Sequence, residues 1–563
     1  MISIKDETRS VVAVAVITML LALFAPNSSS ADESQTEADN GVIVYSSGRP
    51  PAVKEAVLFG FDDVCIPFRQ NLFLQMHPGE KYSGNPVLKR GAPGTPDSYR
   101  AQINGTVIRE GGTFKMWYVA ADDDAVDNFS RLVSRRARAG TEGWRAAYAE
   151  SKDGIHWVKP NLGLVEYHGD RNNNLVELPP GLGPWHLIVI CDANDPDPTR
   201  RYKMMLSTRS EKANSSLNAS SSIPLLSADG LHWRVAVPTR LIDDFVRLDD
   251  IVTTKEFFEQ GGLYQWGGMY YLTGQQEYPT VWLPDGEPCG RVMSIFRSAD
   301  FVHWSGTKTL GFVRYGYRST PLSEGEESHE AAGIWQRGNV LIGVFGLLHG
   351  APKTKIHPMD LGLMISDDGL HFREPTPDFA FIPMGKKGSF ESGGVIQSNG
   401  FVNVGDKTYY WYGGWDGDVT QIYIHSEVGL TTVRRDGFGS LSTISIPDAA
   451  IRRHPSFFVY PSGPAGFVTC PIGVKGSADL WLNAEGLSAD GRLRVELLDE
   501  SERPIPGYSG EDSVPVEQSG VRVHVLWKNQ SRVGGFEKPF KIKVSFEGSE
   551  RDNVKFYALY IKQ

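Results

Sequence analysis

The chain of 563 residues is poor in cysteine, in long apolar runs and in clusters of basic residues. Its four cysteines are far apart and show no Cys-x-x-Cys spacing, which argues against a zinc ribbon: Cys65, Cys191, Cys289 and Cys470. We expect most of them to be free, buried thiols. Because no Lys/Arg stripe stands out and the net charge is −10, nucleic acid is not an expected partner.

One apolar run is present, at the N-terminus. Lys5 and Arg9 precede the apolar residues 11–24, and a polar stretch of small residues follows up to Ala31. This order is typical of a secretory signal, and the run is short for a membrane span of about 20 residues. We predict a signal peptide over residues 1–31 and a secreted or periplasmic mature chain without a membrane anchor; an uncleaved anchor is the alternative.

A seven-residue motif that recurs along the chain is the strongest pattern in the sequence. Four copies read Ser-x-Asp-x-x-His-aromatic, namely 151–157, 227–233, 298–304 and 366–372, and a weaker fifth lies at 434–438. Their aspartates stand at 153, 229, 300, 368 and 436, which are 76, 71, 68 and 68 residues apart. Regular spacing on this scale predicts a repeat architecture with one structural unit per copy.

The chemistry of each copy predicts a hairpin between two outer strands. The Asp-Gly pair supplies a tight turn, and the aromatic residue after it packs back on the sheet. A period near 70 residues fits a four-stranded sheet with long loops, and radial repetition of such sheets is a β-propeller. We therefore predict an all-β protein with a five-bladed β-propeller over residues 97–450. The recurring His156, His232, His303 and His371 belong to this scaffold.

The two flanks of the repeat differ from it. Residues 491–497, 521–525 and 541–546 alternate apolar and polar side chains, as in an antiparallel sheet with one buried face. They predict a C-terminal β-sandwich over residues 456–563. Residues 32–96 are less readable, and they are candidates for a strand that closes the propeller.

Acidic residues precede the strands that we interpret as innermost. Glu259, Glu330 and Glu391 share a pattern of an aromatic or His, then Glu, then small residues. Asp97 and Asp192 stand at the corresponding places of the first two blades, and Asp195 is an alternative to Asp192. Since inner strands meet at the axis of a propeller, these carboxylates would converge. Glycoside hydrolysis needs such a set, with one general acid and one base or nucleophile.

Other side chains near these acids suit a sugar, because aromatic rings stack on sugar faces and charged groups bind hydroxyls. The predicted substrate-binding residues are Arg100, Tyr118, Glu259, His329, Trp335, Arg337, Glu391, Trp415 and Asp416. The chemistry requires no cofactor, and no metal ligand set is assigned. Asp122, Asp123 and Asp124 form an acidic loop in which a structural Ca²⁺ is a further option.

These features resemble a known superfamily. The hairpins, the blade count and Phe114-Lys-Met-Trp-Tyr118 resemble the five-bladed propellers of glycoside hydrolase families 32, 43, 62 and 68, and more narrowly exported bacterial proteins labelled family-32 N-terminal-like. The resemblance spans about residues 90 to 450. It implies Asp97 as nucleophile or base, Asp192 as the second acid and Glu330 as general acid. Trp-x-Asn-Asp-Pro, Arg-Asp-Pro and Glu-Cys motifs are absent from the matching positions, which argues against an invertase or fructanase.

The sequence favours a secreted glycosidase that degrades a polysaccharide or oligosaccharide, with a furanoside as one option. The alternatives are a non-catalytic glycan-binding propeller and a sialidase-like or phosphorylase-like enzyme. No arginine triad can be assigned for a sialidase, and a signal peptide argues against a phosphorylase.

Overall fold

The fold consists almost entirely of β-strands. The computed structural model describes residues 41–46, 50–127, 143–209, 220–236, 258–276, 291–304, 309–314, 327–348, 358–417, 424–443 and 463–563. The predicted signal peptide and Cys289 lie outside these ranges. No helix among the described residues has the length and apolar character needed to cross a membrane.

The first five strands precede the repeat, and the next twenty form five antiparallel groups, called sheets 1 to 5, of which sheets 5 and 1 are joined by a parallel pair between Ser426 and Arg100. The N-terminal strands are β1 (Gly41–Val44), β2 (Glu55–Phe59), β3 (Phe68–Gln70), β4 (Leu72–Met76) and β5 (Glu80–Lys81). Sheet 1 has β6 (Arg100–Glu110), β7 (Thr113–Ala121), β8 (Arg145–Ser151) and β9 (Trp157–Val158). Sheet 2 has β10 (Pro184–Cys191), β11 (Tyr202–Arg209), β12 (Ser220–Ser227) and β13 (Arg234–Val235).

The other three sheets repeat this order. Sheet 3 has β14 (Phe258–Trp266), β15 (Met269–Gln276), β16 (Val292–Ser298) and β17 (Thr309–Phe312). Sheet 4 has β18 (Glu327–Arg337), β19 (Val340–Leu348), β20 (Met359–Ser366) and β21 (Ala380–Ile382). Sheet 5 has a broken first strand, β22 (Gly394–Ile396) and β23 (Phe401–Val404), followed by β24 (Lys407–Trp415) and β25 (Ser426–Arg434).

Four of the predicted hairpins connect the third and fourth strands of sheets 1 to 4. In sheet 1, Asp153 Oδ1 accepts the backbone N–H groups of Ile155 and His156, and Gly154 has a φ of +77°. The Nδ1 of His156 lies 2.7 Å from Asp153 Oδ2, and the other three histidines repeat this contact at 2.6–2.7 Å. These histidines therefore hold turns, in agreement with the interpretation of the repeat.

The fifth turn departs from the pattern. The chain after Asp436 continues into β26 (Gly439–Thr443), which pairs with β4 and β34 instead of with β25. The outer position of sheet 5 is taken by β5, which pairs with β25. Asp436 is buried and accepts two hydrogen bonds of 2.9 Å from the guanidinium of Arg337.

Consecutive sheets share apolar clusters, and sheet 5 shares one with sheet 1. Ile103 and Met116 of sheet 1, for example, pack in one cluster with Trp411 and Leu430 of sheet 5. Hydrogen bonds to the hairpins link the same neighbours. They join Trp117 to Gly230 (2.7 Å), Arg200 to Asp300 (2.8 Å), Tyr264 to Gly369 (2.7 Å), Arg337 to Asp436 (2.9 Å) and Trp411 to Gly154 (2.8 Å). The contacts thus run from sheet 1 through sheet 5 and back.

The contact between sheets 5 and 1 predicts a large cost for Gly154→Ala. A Cβ at Gly154 would lie 2.7 Å from the buried ring of Trp411, whereas Gly163 has a similar φ of +69° and open space around it. Gly163→Ala should lower the free energy of unfolding by about 1–2 kcal/mol through backbone strain alone. Gly154→Ala should lower it by about 1–3 kcal/mol more, because the packed ring must move. Urea unfolding of both variants measures the difference; equal losses would contradict the contact.

The C-terminal strands form further sheets and recruit the N-terminal segment. These strands are β27 (Ala465–Val468), β28 (Ile472–Lys475), β29 (Ser477–Glu485), β30 (Arg492–Leu498), β31 (Gly520–His524), β32 (Val533–Gly534), β33 (Lys541–Glu547) and β34 (Lys555–Lys562), with 3-10 turns at Pro198–Arg200, Gly510–Asp512 and Arg551–Asn553. β2 pairs with β34, β3 with β27 and β1 with β28. The N-terminal segment therefore adds one short strand, β5, to the outer position of sheet 5 and four strands, β1 to β4, to the C-terminal sheets, with β4 paired to β26. That the segment closes a propeller stays a prediction.

The two ends of the five sheets differ in character. The later halves of the first strands line a cleft of about 430 Å³, with Thr106–Arg109, Val189–Cys191, Leu263–Gln265, Ile334–Gln336 and Phe401–Asn403 around it. We call this the cleft end. The end at which the same strands begin carries a group of buried polar side chains, and we call it the polar end.

Candidate functional site

Buried polar side chains are concentrated at the polar end. They come from the starts of first strands and the ends of second strands, and include Arg100, Gln102, Asn104, His186, Thr208, Glu259, Gln260, Thr273, Gln275, Glu391 and Gln397. Polar groups removed from water need hydrogen-bond partners to offset the cost of burial. Polar side chains of this kind line sites for polar ligands where they face one space.

Three of these residues form a hydrogen-bonded row on β6. The guanidinium of Arg100 donates to Gln102 Oε1 at 3.4 Å, and Gln102 Nε2 donates to Asn104 Oδ1 at 2.9 Å. The guanidinium also donates to the carbonyl of Ile424 at 3.0 Å and lies 5.3 Å from the ring of Trp144. The row presents amide and guanidinium donors in a fixed order, which suits hydroxyl groups.

Asp97 is buried just before β6. Its Oδ2 accepts hydrogen bonds from Tyr118 Oη at 2.8 Å and from Lys159 Nζ at 2.5 Å. Its Oδ1 accepts a longer bond of 3.3 Å from Thr95 Oγ1. The two strong donors therefore act on one oxygen and fix the carboxylate, while Oδ1 is the less engaged atom.

Glu391 occupies the same place before the first strand of sheet 5. Residues 91–98 and 385–392 share the pattern Gly-x-x-Gly-Ser/Thr-x-acid-Ser, and Gly94 and Gly388 have φ values of +88° and +89°. In each loop the N–H of the first glycine donates to the carbonyl of the acid, at 3.1 and 2.9 Å. The two acids are thus carried by equivalent loops of neighbouring sheets.

The partners of the two acids are also equivalent, but their geometry differs. Glu391 Oε1 accepts from Lys81 at 2.8 Å, and Oε2 accepts from Tyr412 Oη at 2.7 Å. Both oxygens of Glu391 thus carry strong bonds, whereas the corresponding donors of Asp97 share one oxygen. Asp97 is therefore the better placed of the two to react, and Glu391 the better placed to position.

Sequence reasoning missed Lys81, Lys159 and Tyr412 as partners of these acids. Tyr118 and Tyr412 each follow a tryptophan on the second long strand of their sheet. Lys159 and Lys81 come from the outer edges of sheets 1 and 5. The repeated Gly-x-x-Gly-Ser/Thr-x-acid-Ser pattern was a sequence signal for the loops, although no local pattern indicates the lysines.

Glu259 and Glu330 also lie at the polar end. Glu259 is buried in the first half of β14, and its Oε2 accepts from Gln275 Nε2 at 3.1 Å. The backbones of His329 and Glu330 lie in the first half of β18, next to a register shift between His329 and Ala332. The side chains of His329 and Glu330 lie outside the described residues.

The position of Asp192 contradicts the prediction that it shares one site with Asp97 and Glu330. It follows β10 instead of preceding it, because Pro184–Cys191 is the first strand of sheet 2 and not the segment at 201–203. Asp192 therefore lies at the cleft end, where its Oδ2 accepts from Gln265 at 2.9 Å and from Tyr270. The structure does not bring Asp192 or Asp195 together with Asp97.

Lys203 explains why Asp192 is buried. Its wholly buried ammonium lies 3.1 Å from Asp192 Oδ2 and 2.8 Å from Asp195 Oδ2. Burial alone would raise the pKa of Asp192, but hydrogen bonds from Tyr270 and Lys203 outweigh it and lower that pKa below its usual range. A carboxylate held in this way is a structural ion-pair partner and a poor proton donor.

Two more predicted substrate-binding residues lie at the cleft end. The ring of Trp335 stacks on Phe401 with 5.1 Å between centroids. Arg337 pairs with Asp436 and, at 2.9 Å, with Glu55 of the N-terminal segment. Both side chains therefore pack where sheet 4 contacts its neighbours, and neither belongs to the polar end.

The remaining predicted residues lie near β6 or sheet 5. Tyr118 is buried and holds Asp97, while Trp415 is buried in an apolar cluster with Met359 and Ile396. Asp416 Oδ2 lies 2.7 Å from His425 Nδ1, and its charge opposes the lowering of the pKa of Arg100 by burial. Trp415 is thus a core residue, and Asp416 is available to position Arg100.

The acidic loop after β7 has protein partners of its own. Asp122 accepts the N–H of Ala125 at 2.7 Å and the hydroxyl of Tyr167 at 3.0 Å, and Asp123 accepts from Ser98 Oγ at 3.0 Å. Residues 123–127 are helical, where a loop was expected. A Ca²⁺ ion at these residues stays a prediction.

The chain matches no protein-family model and no curated protein. Among solved structures it is similar to a glycosyl hydrolase from Bacteroides ovatus, at 16% identity and a TM-score of 0.38 over 65% of this chain and 97% of that one. It is similar to a family-32 β-fructofuranosidase of Bombyx mori, at 11% and 0.34 over 84% and 94%. It is also similar to a family-117 glycoside hydrolase of Zobellia galactanivorans, at 11% and 0.34 over 65% and 90%. At these values the matches identify no family for this chain.

Proposed function

We propose that this chain is an exported glycoside hydrolase that acts on a polysaccharide or oligosaccharide at the polar end of its five sheets. The observation that carries the proposal is Asp97, a buried carboxylate with two strong donors on one oxygen and a less engaged second oxygen. Its neighbour on β6 is the row of Arg100, Gln102 and Asn104, whose donors suit sugar hydroxyls.

The fold proposal is a five-bladed β-propeller with a β-sandwich built from the C-terminal and N-terminal strands. The cycle of contacts from sheet 1 to sheet 5 and back supports the five blades, because radial closure protects the edges of small sheets. In this arrangement the first strands of all five sheets begin around one axis, so the acids of different blades would face a common ligand.

The roles follow from the needs of glycoside hydrolysis, which uses one carboxyl as acid and another as base or nucleophile. We assign Asp97 as base or nucleophile and Glu330 as general acid. Glu391 positions the site through Lys81 and Tyr412, and Glu259, His329, Arg100 and Asp416 serve substrate binding. Asp192 has no role in this scheme.

An activity screen tests the proposal with Asp97→Asn and Asp192→Asn. Wild-type protein should hydrolyse at least one member of a panel of plant and algal polysaccharides and aryl glycosides, furanosides included. Asp97→Asn should lower turnover by about 10²–10⁴-fold. Asp192→Asn should stay within about twofold at a temperature where both variants are folded, since its carboxyl lies at the cleft end.

The two variants show which end of the sheets holds the catalytic site. A strong loss in Asp192→Asn with full activity in Asp97→Asn would place the site at the cleft end and overturn the assignment. Circular dichroism of both variants shows whether either loss reflects unfolding.

Non-catalytic glycan binding is the second candidate. It is favoured by the protein donors that Asp97 and Glu391 both carry, since such acids serve hydrogen bonding as well as catalysis. A wild-type protein that binds a glycan of the panel by calorimetry and releases no reducing ends from it would support this function over hydrolysis.

A further inference from the structure

A buried cluster of titratable side chains lies away from the polar end, where three parts of the chain meet. Asp62 and Cys65 follow β2, Asp367 belongs to the hairpin after β20, and Cys470 precedes β28. Asp62, Cys65 and Asp367 each offer one donor atom, and these atoms all lie within 4.8 Å of one another. All three residues are buried, with at most 5% of their surface exposed.

The outer atoms of this cluster are occupied by other groups. The guanidinium of Arg373 donates to Asp367 Oδ2 at 2.6 Å and to Asp62 Oδ1 at 2.7 Å. Asp62 Oδ1 also accepts the N–H groups of Val64 and Cys65, at 3.0 and 3.2 Å. These contacts fix both carboxylates in the way that outer hydrogen bonds orient metal ligands.

The inner atoms are left facing one another. Asp62 Oδ2 is buried, and no N–H or hydroxyl donor of the described residues reaches it. Asp367 Oδ1 has a long contact of 3.4 Å with Cys65 Sγ, and Asn339 Nδ2 lies 3.8 Å from the same sulfur. Two carboxylate oxygens and one sulfur therefore converge with weak interactions between them.

The carboxylates at this cluster outnumber the guanidinium that contacts them. Arg373 lies 2.7 Å from Asp62, 2.9 Å from Asp63 and 2.6 Å from Asp367, so that one positive charge is shared among three carboxylates. A divalent cation at the inner atoms would offset the remaining negative charge, and its binding to Cys65 would release the thiol proton.

We propose that Asp62 Oδ2, Cys65 Sγ and Asp367 Oδ1 bind a divalent, thiophilic metal ion with a structural role, for which Zn²⁺ is the test ion. Zn²⁺ favours four ligands drawn from Cys, His and Asp/Glu. The fourth position is open to water or to the neighbouring Cys470, whose N–H donates to the Cys65 carbonyl at 2.9 Å but whose thiol lies outside the group of three. The ion would fasten the N-terminal segment to sheet 4.

Metal content and stability of the full mature chain test the site. Protein refolded with Zn²⁺ and then dialysed should retain about one ion per chain, and removal by a chelator should lower the melting temperature reversibly. Co²⁺ in place of Zn²⁺ should give thiolate-to-metal charge-transfer absorption in the near ultraviolet. That spectrum reports on Cys65 in wild-type protein and does not depend on any variant.

Variants locate the ligands. Asp367→Asn keeps the shape of the side chain and should weaken Zn²⁺ binding at least about tenfold, as should Cys65→Ser. Cys191→Ser is the matched control, because Cys191 is a half-buried thiol outside the cluster, and it should leave the metal content unchanged. Chains without metal in the presence of Zn²⁺, equal binding by wild type and Asp367→Asn, or a Cys65–Cys470 disulfide found by mass spectrometry would each overturn the proposal.

Discussion

Glu330→Gln should lower turnover on the natural glycan by about 10²–10⁴-fold while the protein stays folded. A general acid must hold its proton when substrate binds, and the proposed role requires neighbouring carboxylates at the starts of the first strands to raise its pKa. Gln keeps the shape of Glu but cannot donate the proton that the leaving group needs. The rate of release of reducing ends from the glycan identified by the activity screen measures this loss.

The leaving group supplies the control for this prediction. An aryl glycoside with an acidic phenol needs little protonation, so Glu330→Gln should slow its hydrolysis far less than that of the glycan. Glu259→Gln and Glu391→Gln should not show this dependence on the leaving group. Full activity of folded Glu330→Gln on the glycan would refute the assignment, and the variant with the leaving-group dependence would then mark the acid.

The repeat was readable because its determinants are local. The turn of residues 151–157 needs only Asp153, Gly154 and their immediate neighbours, and the structure places the four complete copies between third and fourth strands. The copy at Asp436 has the same turn residue but a different partner strand. Turn chemistry therefore predicted where the hairpin lies and could not predict which sheet receives the next strand.

Strand order and the pairing of strands far apart in the chain limited what the sequence could predict. Asp192 was assigned to the wrong end because the segment at 184–191 was not recognised as the first strand of sheet 2, so the acid was placed before a strand that it follows. The pairing of β2 with β34 joins residues about 500 positions apart in the chain. No local pattern in residues 32–96 encodes that partner.

In the candidate site, too, the residues set by local sequence could be predicted and their long-range partners could not. Asp97 and Glu391 could be proposed from their place before apolar strands, and their loops carry a repeated pattern. The lysines that bind them could not, because Lys81 precedes its acid by 310 residues. A surface lysine and a lysine that fixes a buried carboxylate look alike in sequence, since the difference lies in the sheet edge that carries them.

The second large effect is expected for Lys203→Met at the cleft end. Lys203 is wholly buried between Asp192 and Asp195, and its Nζ also donates to the carbonyl of Arg200 at 2.9 Å. Met fills a similar volume but leaves Asp192 without its cation and leaves Asp195 with Arg200 alone, at 3.2 Å. The free energy of unfolding at neutral pH should fall by about 3 kcal/mol, the lower end for a broken buried ion pair, because Arg200 still offsets one of the two acids.

The pH dependence of this loss distinguishes lost charge pairing from poor packing. Burial raises the pKa values of Asp192 and Asp195, but hydrogen bonds from Lys203 and other donors lower both overall. A carboxylate with a lowered pKa stabilises the folded chain above its unfolded value of about 3.9, and that contribution disappears as the pH falls through the folded pKa. The difference between wild type and Lys203→Met should therefore be largest at pH 7 and shrink below pH 4. Arg503→Met removes the exposed ion pair with Asp499 and should lower the free energy of unfolding far less than Lys203→Met does. Urea unfolding from pH 3 to pH 7 measures all three proteins, and a loss in Lys203→Met that stays constant over this range would show that packing, not charge, is what Lys203 supplies.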